Sequence, residues 1–439
     1  MNSRITIRIT KRSLAGWMLW LLIMMPFSFG TLNDLVGLPW AIRYLLDVAW
    51  LGLGAVITVC RWQTGNQKVS SLALWILLFL IYTLFVYIVQ YQNAMYYLWG
   101  VRNNFRFYAA LFLFASLLTL DDIHYYLNAF DILFWVNAVV SLFQFFVLEL
   151  DGDFLGGLFG AEKGGNAYTN IFFLIVVTKS VVLYLGKQEK TGSCIAKCVT
   201  ALLVAALAEL KFFFVEFVLM IILAVLLTNF TWRKLWIIFG GMVAVVLGAA
   251  LLTRLFPSFA GWFSVQWFLE NALSDKGYTS SGDLNRLTAI PQINALWLRN
   301  TGLQLFGLGM GNCDTSTFSF LNTPFYLANE DMHYTWLSYA MMYLECGWVG
   351  LVFYVGFFVL LYHRTNIIKN HANGIVRSYC ILSQILVVMC VLISIYNSSL
   401  RTEAAYMMYF ILAIPFVLAR TYKIVHKQEI MGKIFSERK

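Results

Sequence analysis

The sequence predicts an all-α, polytopic membrane protein: one transmembrane bundle over residues 1–439, with about twelve spanning helices and a large extracytoplasmic loop between the ninth and tenth spans. Three observations lead there. The 439 residues are 60% apolar and only 12% charged, where a soluble domain carries roughly 45–50% apolar and about 25% charged residues. Apolar runs long enough to cross a bilayer recur along the chain. Lys and Arg are spread unevenly over the loops between those runs.

The runs place spans at 14–29, 38–60, 71–90, 105–119, 126–148, 168–186, 195–208, 212–228, 235–253, 348–362, 378–396 and 404–419. An even number returns both termini to one side. That side holds 20 Lys and Arg against 9 on the other, so the positive-inside rule puts both termini in the cytoplasm. The first run follows Arg4, Arg8, Lys11 and Arg12 and lacks a small-residue cleavage site, which reads as a retained span rather than a signal peptide.

The stretch 195–228 decides the topology downstream. As one helix it would be roughly 50 Å long, against a hydrocarbon core of about 30 Å. It therefore reads as a hairpin of two spans with Glu209 and Lys211 at its outer tip, which also keeps the basic C-terminal tail inside.

Residues 254–347 form the longest segment that is not continuously apolar, and read as an extracytoplasmic cap loop with short helices. Aromatics with few charges over 254–271 predict a helix lying in the interface. Arg286 begins a second helical stretch and Arg299 ends it. Gly307, Gly309, Gly311 and Pro324 predict irregular chain from 302 to 332, and helix is expected from His333 until a break near Gly347.

Several function classes are excluded. A net charge of +9 suggests nucleic acid, but basic residues beside spans set topology and meet anionic lipid instead. The seven cysteines form no CxxC pair and no His/Cys cluster, so neither a disulfide framework nor a zinc site follows. No Walker A sequence occurs, which argues against an ATP-driven pump. Asp151-Gly-Asp153 has the form of a sugar-nucleotide transferase metal motif, but it falls on the outer side, where it reads as a solvated loop. The GLGMGN run from Gly307 to Asn312 does not follow a strand. Its glycines serve a tight turn near the membrane, with phosphate contact by their amides the alternative.

The outer-side cations are more telling. Arg102, Arg106, Lys211, Arg286 and Arg299 lie near span ends on the face that the positive-inside rule disfavours. Cations kept there are paired or functional, and an anionic lipid head is one partner, since the arginine fork suits a pyrophosphate. Pairing of Lys211 with Glu209 and Glu216, or plain interface anchoring, is the alternative. Arg43 and Asp47, four apart in one span, read as an intrahelical pair outside the site. His333 is the only histidine on the outer side and follows Glu330 and Asp331. An imidazole there suits proton transfer, with Glu330 and Asp331 orienting it or serving as base and Glu345 facing the same cavity; an exposed interfacial histidine is the plain reading.

Three stretches resemble the bacterial superfamily of O-antigen polymerases and O-antigen ligases. His333, Leu337, Glu345, Gly347 and Gly350 are similar to its outer-loop motif; Arg286 with Gly307 and Gly309 to its Arg-led helix and glycine turn; and Lys211 stands at the hairpin tip where many members carry arginine. The resemblance implies a donor oligosaccharide on undecaprenyl diphosphate, no cofactor, metal or nucleotide, a diphosphate held by Lys211, Arg286, Arg102 and Arg106, and His333, Glu330 and Asp331 assisting the acceptor. Glu209, Arg299 and Glu345 take secondary places. It further implies a multi-pass protein of the bacterial cytoplasmic membrane that makes O-antigen, capsule or exopolysaccharide beside a flippase and a chain-length regulator. Ligation of polysaccharide to lipid A core and flipping of the lipid-linked sugar are the alternatives.

Overall fold

The computed structural model describes residues 14–63, 70–229, 232–255 and 282–436. Among them every regular element is helical and no strand occurs. The protein is an all-α membrane protein: among the described residues five helices are long and apolar enough to cross a bilayer, namely α4 (Ser71–Val89), α6 (Leu120–Phe146), α7 (Gly165–Leu185), α14 (Ser338–Asn370) and α15 (Gly374–Tyr396). A sixth crossing is made if α1 (Leu14–Met24) and α2 (Phe29–Val36), bent by 64° at a short 3-10 turn through Pro26, count as one span. The other elements are α3 (Leu45–Gln63), α5 (Ala94–Leu117), α8 (Thr191–Leu207), α9 (Lys211–Leu227), α10 (Trp232–Leu255), the short helices α11 (Ala289–Leu296), α12 (Thr301–Phe306) and α13 (Pro324–Asn329), and α16 (Ala405–Ser436). The interfacial helix expected over 254–271 lies, from residue 256 on, outside the described residues.

Local chemistry sets the helix ends. Ser70 and Asn93 cap α4 and α5 through their side chains, and Thr119 with Asp122 forms a reciprocal capping box on α6. The predicted hairpin at 195–228 is present as α8 and α9. Between them Glu209 adopts a left-handed conformation (φ 52°), and the amides of Leu210 and Lys211 bond back to Ala205 and Glu209. Almost every residue of α7 is buried, which makes it the axis of the bundle.

The cap packs as a small second core. Leu284, Ile293, Leu298, Tyr334, Leu337 and Leu344 are buried together against the first turns of α14. Two expectations need correction. Residues 302–332 are not wholly irregular, because Asn300 and Thr323 cap the short helices α12 and α13. Helix does not resume at His333: that residue is left-handed (φ 50°) between two 3-10 turns, and α14 starts at Ser338. α14 breaks at Gly347 (φ 61°). The glycine-rich turn docks there, with the Gly309 amide on the Glu345 carbonyl at 2.7 Å. A Cβ on Gly311 would stand 1.9 Å from the Tyr96 carbonyl oxygen of α5, so close backbone approach demands glycine.

Polar ties fix the cap to the bundle. Gln90 and Gln92 donate to the carbonyls of Gly307 and Leu308 at 2.6 and 2.8 Å, and the Trp99 indole donates to Thr315 at 3.0 Å. Asp314 accepts from Asn103 and from Arg401, each at 2.8 Å. Tyr44 stacks on Phe318 and bonds Thr317 at 2.6 Å.

Candidate active site

The tips of α8–α9 and α15–α16, the start of α7 and one edge of the cap enclose a cavity of about 940 Å³. Its walls carry the cations Arg43, Lys163, Lys211 and Arg286 and the carboxylates Asp151, Asp153, Glu162 and Glu209.

Each wall is held by specific contacts. Asn166, in the first turn of α7, donates to the Gly152 carbonyl, to Asp153 and to the Ala208 carbonyl at 3.1–3.4 Å, tying the 151–153 loop to the hairpin tip. α7 opens on the wall at Gly164 and Gly165 with no side-chain cap, so its positive end faces the cavity. Arg286 donates from Nε to the Tyr396 carbonyl at 2.9 Å, and its guanidinium carbon lies 4.4 Å from the centre of the Tyr396 ring. That ring stacks on Phe212 at 4.0 Å and 5°. The stack brings Arg286, from the cap, beside the tip that carries Lys211.

The electrostatics follow from burial. Lys211 is held below its ordinary pKa first by desolvation, partly offset by Glu209, and further by the positive charge of Arg286. Glu209 is raised, chiefly by desolvation, against the pull of Lys211. A dianion entering between Lys211 and Arg286 relieves their repulsion.

The structure thus brings Lys211, Arg286 and Glu209 together on one wall. It does not bring the rest. Arg102 is committed to Asp47, at 2.6 and 3.0 Å, and rests over Tyr44 and Trp99. Arg106 is buried against Glu403 at 3.1 Å and bonds the Arg401 carbonyl at 2.8 Å. Glu345 is buried beneath the glycine-rich turn and accepts from the Cys313 amide. Glu330, Asp331 and Arg299 are exposed and off the cavity wall. His333 is off the cavity wall, its ring stacked at 3.9 Å on Trp336, and it is Trp336 that lines the cavity. Glu216 is not beside Lys211 as an ion partner; it is fully buried and accepts from Asn170 at 2.9 Å.

Spacing missed Arg43. Its expected partner Asp47 is taken by Arg102, and Arg43 lines the cavity with a buried Nε that has no hydrogen-bond partner among the described residues. Lys163, Trp336 and Tyr396 were also missed. The amides of the glycine-rich turn are used internally, Gly307 on Leu303 and Gly309 on Glu345, which leaves that turn a packing role. Among the described residues no group of three or more His, Cys, Asp or Glu is placed to hold a metal ion. Neither known protein-family models nor curated protein sequences match this chain.

Proposed function

We propose that this chain is a metal-independent membrane glycosyltransferase that polymerises oligosaccharide repeats carried on undecaprenyl diphosphate, at the outer face of the bacterial cytoplasmic membrane. In this reading the helices form twelve spans with both termini cytoplasmic, and residues 254–347 cap the outer end. The observation that carries it is the convergence of Arg43, Lys211 and Arg286, from three distant points of the chain, on one cavity that also receives the start of α7. Cations and a helix N-terminus around one cavity suit a phosphate-bearing ligand.

The reaction follows from the charge distribution. A hydroxyl of the acceptor sugar attacks the anomeric carbon of the donor. The bond from that carbon to the phosphate oxygen breaks, and its electron pair leaves with the diphosphate. Charge grows on the leaving group as the bond lengthens, so Lys211, Arg286 and Arg43 bind the transition state more tightly than the ground state. Phe212 and Trp336 line the same cavity with flat apolar rings of the kind on which sugar rings rest. No external energy source is needed, because the diphosphate is itself a good leaving group.

Polymerase is favoured over ligase by analogy with the diverged outer-loop motif at His333 to Gly350. A flippase is disfavoured because the wall charges gather at one end of the bundle, whereas the buried ion pairs of Lys179 and Lys197 with Asp131 belong to helix packing. The purified protein in liposomes, given lipid-linked repeats alone, tests the reading. A ladder of longer lipid-linked products supports polymerase. Growth only after addition of lipid A core indicates ligase, and no transfer with either acceptor overturns the transferase reading.

A further inference from the structure

His333 is the residue that sequence motifs nominate to assist the acceptor, yet its ring lies against Trp336, which takes the place on the cavity wall. The proton that an acceptor hydroxyl must lose needs another destination. Among the described residues four carboxylates line the cavity: Asp151, Asp153 and Glu162 are exposed, and of these Glu209 alone is half-buried. Asp153 is further engaged by the Asn166 amide at 3.2 Å.

Glu209 is held by backbone rather than by chance. It is the left-handed residue at the turn between α8 and α9, a conformation that costs a non-glycine residue energy and persists where the surroundings impose it. The Lys211 amide donates to the Glu209 carbonyl at 2.8 Å, so cation and carboxylate share one rigid tip. Opposite stands Gly152, whose missing Cβ would lie 3.6 Å from the Glu209 carboxyl carbon, which keeps the space before that carboxylate narrow.

Resting on the transferase reading above, we infer that Glu209 is the general base of the sugar transfer. Its carboxylate takes the proton of the acceptor hydroxyl as the new bond from oxygen to the anomeric carbon forms, while the electron pair of the old bond leaves on the diphosphate beside Lys211. The proton then passes from Glu209 to solvent through the open cavity. Desolvation, which raises the pKa of this carboxyl, improves it as a base near neutral pH.

The test compares wild type, Glu209→Gln, Glu209→Asp and His333→Ala in the liposome elongation assay, with undecaprenyl diphosphate binding measured on each. Glu209→Gln is expected to lose about 100-fold or more in kcat, with KM for the donor held within about threefold. Binding of undecaprenyl diphosphate persists in it, which shows that the site is folded. Glu209→Asp recovers part of the rate. The wild-type rate rises with pH through the Glu209 titration, and the glutamine variant lacks that limb. Wild-type kcat in Glu209→Gln overturns the assignment and leaves the transferase reading standing, as does a rise in KM at unchanged kcat. A kcat loss with a vanished pH limb in His333→Ala alone returns the role to the histidine. A wild type that elongates nothing overturns the transferase reading and this assignment with it.

Discussion

Arg286 and Tyr396 meet twice: Nε donates to the tyrosine's carbonyl at 2.9 Å while the guanidinium lies 4.4 Å from the centre of the same residue's ring. The pair joins the cap to the end of α15, and Phe212 extends the stack to the tip that bears Lys211. Replacing Tyr396 by leucine keeps the backbone acceptor and removes the ring. A cation over an aromatic face contributes about 0.5–2 kcal/mol, so kcat/KM for the donor should fall by roughly 2–30-fold. Steady-state kinetics of elongation check it.

Lys211 gives the site a pH signature. Burial, and then the charge of Arg286, depress its pKa, so it loses its proton below the ordinary 10.5. A bound diphosphate favours the protonated form. Affinity for undecaprenyl diphosphate is therefore full below the depressed pKa and declines as pH rises through it. In Lys211→Arg the decline disappears, since guanidinium stays charged. Binding isotherms across alkaline pH distinguish the two.

Arg106 and Arg102 should fail as binding residues and succeed as structural ones. Removing one partner of a buried pair costs about 3–5 kcal/mol because the other charge is left unpaired, so Arg106→Met should strongly lower the unfolding temperature in detergent. The double variant with Glu403→Gln should recover much of the loss. Burial alone would raise the Glu403 pKa; the charges of Arg106 and Arg43, with the Tyr168 hydroxyl, bring it down to about 2. A carboxylate depressed in this way contributes fully above its ordinary 4.5 and loses its contribution as pH falls toward about 2. Thermal unfolding from pH 7 to pH 3 should show that loss in wild type and not in the double variant.

What the sequence made legible were features governed by local rules. Apolar runs located the helices, the length of 195–228 forced a break where Glu209 now turns the chain, and the placement of Lys211 and Arg286 at segment ends pointed to a shared cavity. Pairing between elements was not legible. Asp47 is four residues from Arg43 yet bonds Arg102, from another helix, and Arg106 finds Glu403 almost three hundred positions later. Spacing along one helix says nothing about which neighbour arrives across it. His333 shows the same limit, since nearness to Glu330 and Asp331 in the chain did not put its ring on the cavity wall; it stacks on Trp336, which lines that wall.

The glycine-rich turn yields a prediction about packing. Gly311 has φ 83°, and a Cβ there meets the Tyr96 carbonyl at 1.9 Å. Gly311→Ala should cost several kcal/mol of stability through strain and forced separation of the cap from α5, on the order of the larger effects seen for core overpacking. In the fraction that folds, affinity for undecaprenyl diphosphate should match wild type. Denaturation in detergent with parallel binding measurements checks both halves.

Equilibrium binding of undecaprenyl diphosphate to the purified protein decides whether Lys211 and Arg286 jointly hold a diphosphate. Binding is expected to be saturable, to weaken by about 10–100-fold in each of Lys211→Ala and Arg286→Ala, from the worth of a charge-assisted contact, and to be unchanged in Arg299→Ala, whose side chain lies exposed and off the cavity. Equal affinity in wild type and in the double variant lacking both Lys211 and Arg286 would contradict it.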